Sequence, residues 1–409
     1  MNKKEFNMTQ GLQPQAVSKL KRPPSTQSCH FSQPNEIVIP TFTLLSKEGS
    51  VADHAQLPKL DQEQALRMLD CCIFTQILDE RMLASQRQGR ISFYMTCTGE
   101  EAAVIGSAAG LEPCDMILGQ YREHAALRYR GFSTVQFMHQ MFSNEHDLGK
   151  GRQMPIHYGS KDLNYQTISS PLGTQIPQAA GVAYAQKLKD EQACTLCYFG
   201  EGAASEGDFH AGMNMAAALQ TPTIFFCRNN AYAISTPVSE QYAGDGIAPR
   251  GMAYGMPCIR VDGNDILAVM AVTQQARAYV LSHQAPILIE AMTYRVGAHS
   301  SSDDPTGYRS KEEEDTWRAE DPVGRFKLWM LHKKWATSEQ IAQIEQDYKA
   351  EILAQVKQAE SIPLPHIDTI IEDVYQDPSE HLKEQLADLK KHIKKYPQDY
   401  PKTSGRISS

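Results

Sequence analysis

Twenty-eight residues lie between Glu201 and Asn230, yet that stretch of chain predicts that they meet. Each follows a continuous apolar run, Cys194 to Phe199 before Glu201 and Thr223 to Cys227 before Asn230. A carboxylate and an amide carbonyl are hard oxygen donors suited to Mg²⁺, which keeps part of its shell for water or substrate phosphate. Arg228 adds a fixed positive charge. A helix expected after Gly202 would point its N-terminal amides and positive dipole end at the same place, with Gly207 letting the backbone approach closely. The chemistry these residue types predict is a magnesium diphosphate held by a loop, a helix start and an arginine.

A strand, helix, strand unit must position these groups. Both apolar runs are unbroken rather than alternating, which predicts parallel strands buried on two faces, and the small-residue stretch from about Asp208 to Leu219 predicts the crossover helix. Such crossovers are right-handed, so both following loops open at one sheet edge, outside the carboxyl ends of the strands where α/β folds bind ligands. Cys194 and Cys197 form the chain's one CxxC. Inside a strand, residues three apart face opposite ways, so this pair predicts packing rather than redox or metal chemistry.

Four other stretches carry candidate groups. The tetrad Gln120 to Glu123 follows the short apolar run Met116 to Leu118; taken alone, Arg122 is a surface or ion-pair residue, and beside Arg228 it becomes a second guanidinium clamp on a diphosphate. Ser169, Ser170, Pro171 and Leu172 form a turn before a helix starting near Thr174. Hydroxyls and carbonyls there suit a monovalent cation or a cofactor ring, or else Thr174 simply caps the helix. His299 lies in a polar loop, RVGAHSSSDDPTGYRS, where a catalytic and an incidental role stand side by side. The run GKGRQMPIHYG reads equally as a phosphate loop or a structural turn.

Around these groups the chain divides into an arm over 1–59, with the first ~35 residues mobile, an α/β domain over 60–310, and a helical extension over 311–409 packed on that domain or on a partner. Asp61 predicts the N-cap of a long helix with Gln64 at the box position, stopped by Gly89. A short strand and a helix from about Glu100 come next, and 235–255 reads as a long ordered loop. Cys258 to Asp265 predicts a strand and turn, Ile266 to Ser282 a helix, and Ile287 to Tyr294 a strand. Leu382, Leu386, Leu389 and Ile393 form one helical stripe near the end. Of 409 residues, 41% are apolar and 22% charged, the balance of a globular protein. A net charge of −8 gives no basic face for nucleic acid, and no apolar run is long enough to predict a transmembrane helix. The odd, scattered count of nine cysteines predicts a reducing compartment.

GEG, 26 intervening residues and NN closely resemble the thiamin diphosphate motif, with Glu201 in place of the usual aspartate. From about Gln88 to Tyr400, the segments QGRISFYMT, GQYRE, DLGKGRQMPIHYG, ISSPLGTQIPQ, YFGEGAASEGD, FFCRNNAYAISTPVSEQY, RVDGND and IEAMTYRVG resemble the alpha subunit family of branched-chain 2-oxo acid dehydrogenases. Pyruvate dehydrogenase alpha subunits share the magnesium motif but not the SSPLGTQIPQ or GEGAASEGD wording.

The resemblance implies a thiamin diphosphate-binding α/β fold, a parallel sheet with helices on both faces, an N-terminal arm and C-terminal helices. It implies that Glu201, Asn230 and the Tyr232 carbonyl hold Mg²⁺. Tyr121, Arg122, Arg228 and His299 would touch the diphosphate or the reacting end of the cofactor, along Gly200, Gly202 and Ala203. Ser170 and Leu172 would hold the aminopyrimidine, and Ser169, Pro171, Thr174 and Gln175 a potassium ion. The implied reaction is oxidative decarboxylation of branched-chain 2-oxo acids with reductive acylation of a lipoyl group, His299 donating or orienting a proton. A beta subunit would complete an α₂β₂ heterotetramer that serves a lipoyl-bearing acyltransferase core, in a bacterial cytoplasm or, in a eukaryote, the mitochondrial matrix. Ser300 and Ser310 match phosphorylated serines of animal members.

Two departures stand out. Ala231 replaces a common glycine, tolerable if its φ is negative, and Ala298 replaces a histidine that often precedes His299. The alternatives are a pyruvate or acetoin dehydrogenase alpha subunit, or a non-catalytic scaffold.

Overall fold

A computed structural model describes residues 37–400. The arm expected to be mobile over its first ~35 residues lies outside the described residues. In chain order the elements are β1 (Thr41–Phe42), α1 (Gln62–Arg87), α2 (Glu101–Ala109), β2 (Met116–Leu118), α3 (His124–Tyr129), α4 (Thr134–Met141), β3 (Tyr165–Gln166), α5 (Gln175–Leu188), β4 (Thr195–Gly200), α6 (Gly207–Leu219) and β5 (Thr223–Asn229). A hairpin, β6 (Tyr232–Ala233) and β7 (Thr236–Pro237), precedes α7 (Val238–Gln241), α8 (Ala248–Ala253), β8 (Cys258–Asp262), α9 (Ile266–His283) and β9 (Ile287–Met292). The remainder is helical: α10 (Lys311–Arg318), α11 (Pro322–His332), α12 (Ser338–Ser361), α13 (Thr369–Glu372) and α14 (Glu380–Lys395).

Seven strands form one sheet in the order β1-β8-β9-β5-β4-β2-β3, with every pairing parallel. Side chains along the central strands alternate between two cores. Leu196, Tyr198, Ile224 and Phe226 join a large cluster with α1, α2, α9, α11 and α12, while Cys197, Phe199, Phe225 and Cys227 join a second one beneath α5 and α6. Each fully buried side chain of this size is worth about 1.5–3 kcal/mol, so both faces of β4 and β5 are fastened independently. The expected α/β architecture, with helices on both faces, is what the chain adopts. Cys194 and Cys197 fall in opposite cores, as their spacing requires.

The connection after β2 runs outward to β3 and that after β4 runs the other way to β5, so β2 and β4 flank a topological switch point. Gln120 spans it, its Oε1 accepting from the Gly200 amide at 2.8 Å.

Several local expectations need correction. The segment expected as a strand after Gly89 pairs with no strand, because side chains and a loop amide take its main-chain groups: Asp79 accepts from the Cys97 amide at 2.6 Å, Arg122 donates to the Thr96 carbonyl at 2.6 Å and the Ser301 amide to the Tyr94 carbonyl at 3.2 Å. Asp61 does cap α1 through the Gln64 amide, but the Gln64 side chain leaves the box for the Ala109 carbonyl. The 235–255 loop holds part of a hairpin and two short helices. There Glu290, fully buried, accepts from the amides of Ile247 and Ala248, both at 2.9 Å, supplying order that glycine-rich composition hides.

Beyond β9, Tyr294 stacks on Trp317 of α10 with ring centroids 4.9 Å apart, and Phe326, Trp329, Tyr348, Ile352 and Val356 of α11 and α12 enter the large cluster. On α14 only Ile393 is fully buried; Leu382, Leu386 and Leu389 are half-exposed. No helix among the described residues is long and apolar enough to cross a membrane.

Candidate functional site

β4 and β5 pair through six positions that end at Gly200 opposite Arg228, which puts Glu201 and Asn230 side by side just past the ladder. The Asn230 amide lies 3.3 Å from Glu201 Oε2. A crevice of about 180 Å³ opens here and gathers Tyr121, Arg122, Leu172, Gly200, Glu201, Gly202, Ala203, Arg228, Asn230, Tyr232 and His299. Those are eleven of the residues singled out from sequence, drawn from the ends of β2, β4 and β5, the start of β6, the loop beyond β9 and the turn before α5.

The floor is built from paired charges. Arg228 is fully buried, one guanidinium nitrogen on Glu100 and another on Glu123. Burial would lower its pKa, but those two carboxylates outweigh burial and hold it well above the ordinary arginine value. Glu100 is equally buried: burial would raise its carboxyl, and the charges of Arg228 and Arg122 with the Asn230 amide hold it below the usual range. Glu123 also accepts from the amides of Gln120 at 2.8 Å and Tyr121 at 2.9 Å, fixing the tetrad. Glu201, by contrast, has no cation against it, and burial pushes its carboxyl up.

Arg122 does more than sit at the floor. It donates to the Thr96 carbonyl and to the His299 carbonyl, both at 2.6 Å, so it ties the tetrad to the histidine loop. That loop is held by side chain to backbone bonds. Asp303 accepts from the His299 amide at 2.7 Å and the Tyr308 hydroxyl at 2.6 Å, and Arg309 holds the carbonyls of Arg295, Val296 (2.7 Å) and Gly297 (3.0 Å). Burial, then the nearby Arg122 and Arg295 charges, pushes His299 down to about 4, so its imidazole is neutral near pH 7.

Other candidate residues sit nearby or elsewhere. Thr174 makes no side-chain cap; its hydroxyl donates to the Pro171 carbonyl at 3.1 Å and lies 3.4 Å from Ser169 Oγ, so three oxygens already converge on the turn. Gln175 spends its amide nitrogen on the Tyr198 carbonyl at 3.0 Å, leaving Oε1 free to accept. Ser170 Oγ lies 2.8 Å from Nε2 of buried His157. Ser300 Oγ lies 3.1 Å from Ser302 Oγ, and Ser310 caps α10 by accepting from the Glu313 amide at 3.1 Å. The basic residues of GKGRQMPIHYG turn away: Lys150 and Arg152 pair with Asp373, which favours the structural-turn reading.

Two expectations change here, and two residues were missed. The close approach is made at Gly202, where a Cβ would lie 2.6 Å from Ala233 Cβ; Gly207 faces open space, and a 3₁₀ turn over Ala203–Ser205 stands between the crevice and α6. Ala231 has φ +74, so the condition under which it replaces glycine without strain is not met. Glu100 and Arg295 were not found from sequence. Glu100 looks like an ordinary helix-start acid, and Arg295, which donates to the Ile234 carbonyl at 2.6 Å, looks like a strand-end charge. An acid or base next to an otherwise apolar, small-residue stretch was the available signal.

The residues suit a magnesium diphosphate. Asn230 turns its amide nitrogen onto Glu100 at 3.0 Å, freeing Oδ1 as an oxygen donor beside the Glu201 carboxylate, and Arg228 Nε is buried with no hydrogen-bond partner. One carboxylate and neutral oxygens are a set that Mg²⁺ completes with phosphate and water.

Residues 70–368 match the family model described as dehydrogenase E1 component. The chain is 52% identical over 349 residues to the mitochondrial 2-oxoisovalerate dehydrogenase subunit alpha of Dictyostelium discoideum, covering 85% of this chain and 79% of that one. The human protein of the same name is 48% identical over 357 residues, 87% of this chain and 80% of that one. Subunit alpha 1 of Arabidopsis thaliana is 46% identical over 348 residues, 85% and 74% respectively. The resemblance read from the motifs holds along the chain, which belongs to the dehydrogenase E1 component family, in the branch whose named relatives are alpha subunits of 2-oxoisovalerate dehydrogenase.

Proposed function

We propose that this chain is the alpha subunit of a thiamin diphosphate- and Mg²⁺-dependent branched-chain 2-oxo acid dehydrogenase, which decarboxylates its substrate and passes the acyl group to a lipoyl-bearing acyltransferase. The observation that carries the reading is the convergence of Glu201, Asn230, Tyr232, Arg122, Arg228 and His299 on one crevice at the sheet edge. Glu201, Asn230 and the Tyr232 carbonyl hold Mg²⁺, and Arg122, Arg228 and Tyr121 take the diphosphate. The cofactor, when bound, supplies the electron sink for decarboxylation. His299, neutral and oriented through its backbone by Arg122 and Asp303, holds or moves a proton at the reacting end. Ser170 and Leu172 face the aminopyrimidine. Ser169, Pro171, Thr174 and Gln175 take K⁺, an assignment supported by the oxygens already gathered there.

A crevice of about 180 Å³ is smaller than the 300–1,000 Å³ of pockets that enclose such ligands, which supports a second wall from a beta subunit in an α₂β₂ heterotetramer. A reducing compartment is supported by eight unpaired cysteines among the described residues, six of them buried. The relatives named above are mitochondrial; here the choice lies between a bacterial cytoplasm and a mitochondrial matrix. Ser300, in the His299 loop, and Ser310 are regulatory phosphorylation sites in this reading, because a phosphate on Ser300 sets negative charge near the diphosphate. Full activity in Ser300→Glu would remove that role.

The test is CO₂ release from 3-methyl-2-oxobutanoate and from pyruvate by this chain assembled with its beta partner, thiamin diphosphate and Mg²⁺. Preference for the branched acid is expected. Preference for pyruvate keeps the site and rejects the substrate, and no turnover from a stable heterotetramer returns the scaffold reading.

A further inference from the structure

We propose that Glu100 decides which end of the Asn230 side chain faces the metal, and so acts as a positioning residue of the Mg²⁺ site. The inference rests on the reading of Glu201 and Asn230 as metal ligands. Glu100 lies fully buried at the entrance to α2, and its two oxygens have separate partners. Oε1 accepts from Asn230 Nδ2 at 3.0 Å with Arg122 Nε 3.8 Å away, and Oε2 pairs with Arg228. An ion-paired carboxylate has only lone pairs to offer, so it accepts the nitrogen end of the amide and rejects the oxygen end. Asn230 Oδ1 is thereby turned away from Glu100, and its one hydrogen bond among the described residues is a long 3.3 Å approach from the Tyr232 amide. That oxygen keeps the capacity to ligate a hard cation, which the amide nitrogen lacks.

A glutamine at position 100 can donate as well as accept. Both orientations of Asn230 then become available, and one of them sets an NH₂ group against the metal position. The competing account is that Glu100 serves only as counter-charge to two buried guanidiniums, whose loss is costly for stability whatever the amide does. The two accounts differ in what an aspartate at 230 will do. A carboxylate presents oxygen whichever way it turns, so an orientation defect disappears in that background while a defect of pure stability does not.

The experiment measures Mn²⁺, a paramagnetic stand-in for Mg²⁺, bound to the α₂β₂ assembly in the presence of thiamin diphosphate, with free Mn²⁺ read by electron paramagnetic resonance. Glu100→Gln is expected to weaken Mn²⁺ binding by about tenfold or more, the usual size of an effect acting through a ligand's orienting partner. The double variant Glu100→Gln/Asn230→Asp is compared with Asn230→Asp alone, so that both carry the new carboxylate and only Glu100 differs, and it is expected to bind Mn²⁺ within about threefold of that single variant. Native affinity in Glu100→Gln overturns the inference, and so does a double variant that binds about tenfold more weakly than Asn230→Asp. Should Glu100→Gln not assemble, the double variant against Asn230→Asp alone decides, with equal binding supporting the inference and a loss of about tenfold overturning it. A Glu201→Ala control separates the layers: Mn²⁺ kept in that variant rejects the metal site itself, whereas Mn²⁺ lost there and kept in Glu100→Gln rejects only the role of Glu100.

Discussion

Glu201 and Asn230 stand at the very ends of β4 and β5, whose six paired positions fix them before any side chain contributes. His299 stands seven residues beyond the end of β9, in a loop with no ladder at all, and is fixed by Asp303, Arg122 and Arg309 acting on main-chain atoms. The two halves of one crevice are therefore held by different physics. Main-chain ladders bury hydrophobic faces on both sides and tolerate loss of any one side chain. A loop clamped mainly by a few charged side chains depends more on each of them, because only scattered main-chain bonds, from Val296 to Thr98 and from Ser301 to Tyr94, share in offsetting its ordering entropy.

The contrast can be broken at either half. Glu201→Ala removes the only carboxylate of the proposed metal set; the several kcal/mol that a metal supplies to charge stabilisation corresponds to about a thousandfold loss in cofactor-dependent turnover. Its melting temperature should stay near native, since the ladder remains, and a large drop there would mean that the floor is not sheet-supported. Asp303→Ala frees the His299 amide and the Tyr308 hydroxyl. Turnover should fall about ten- to a hundredfold through misplacement of the histidine, with faster proteolysis between 297 and 309 and unchanged Mg²⁺ binding. Equal metal loss in both variants would erase the distinction drawn here.

Smaller effects come from titration. Glu101 is fully buried and accepts from the Gly99 amide at 2.7 Å; burial, reinforced by Asp321, pushes its carboxyl up to about 8. The folded chain then holds a proton that the unfolded chain releases above the ordinary glutamate value of about 4.3, so this group's contribution falls as pH rises from there to about 8 and then levels off. Glu101→Gln should flatten that decline and raise the melting temperature by a few degrees at pH 8, with little change at pH 5. His299 has the opposite sign: held down to about 4, it stays neutral while the unfolded histidine protonates, so its contribution is lost as pH falls from about 6.5 toward 4. The smallest effect is expected at Ala231. With φ +74, glycine there should stabilise the chain by about 1 kcal/mol, read as a shift of roughly 1–2 °C in a chain of 409 residues.

The same contrast explains what could be read from the sequence. The strand ends were legible because unbroken apolar runs and a glycine turn are local signals, and parallel topology then forces the two loops together. Cys194 and Cys197 were legible for the same reason. The order between Ser235 and Gly255 was not, because Glu290 supplies it from more than forty positions away in the chain. The absent strand near Tyr94 was hidden likewise, since only the fold reveals that Asp79, Arg122 and the Ser301 amide take its main-chain groups. The sign of φ at Ala231 is also invisible in composition.

Gly99 carries one last consequence. Its φ is +94, and a Cβ there would lie 2.1 Å from the Tyr294 carbonyl oxygen. The turn that delivers Glu100 to the floor is thus wedged against the outgoing segment of β9 with no slack. A single added methyl must move either the helix that carries Glu100 or the strand that leads to His299. Inherited or engineered variation at this position would therefore silence the enzyme without touching any group that meets a ligand, and a survey of ligand contacts would overlook it.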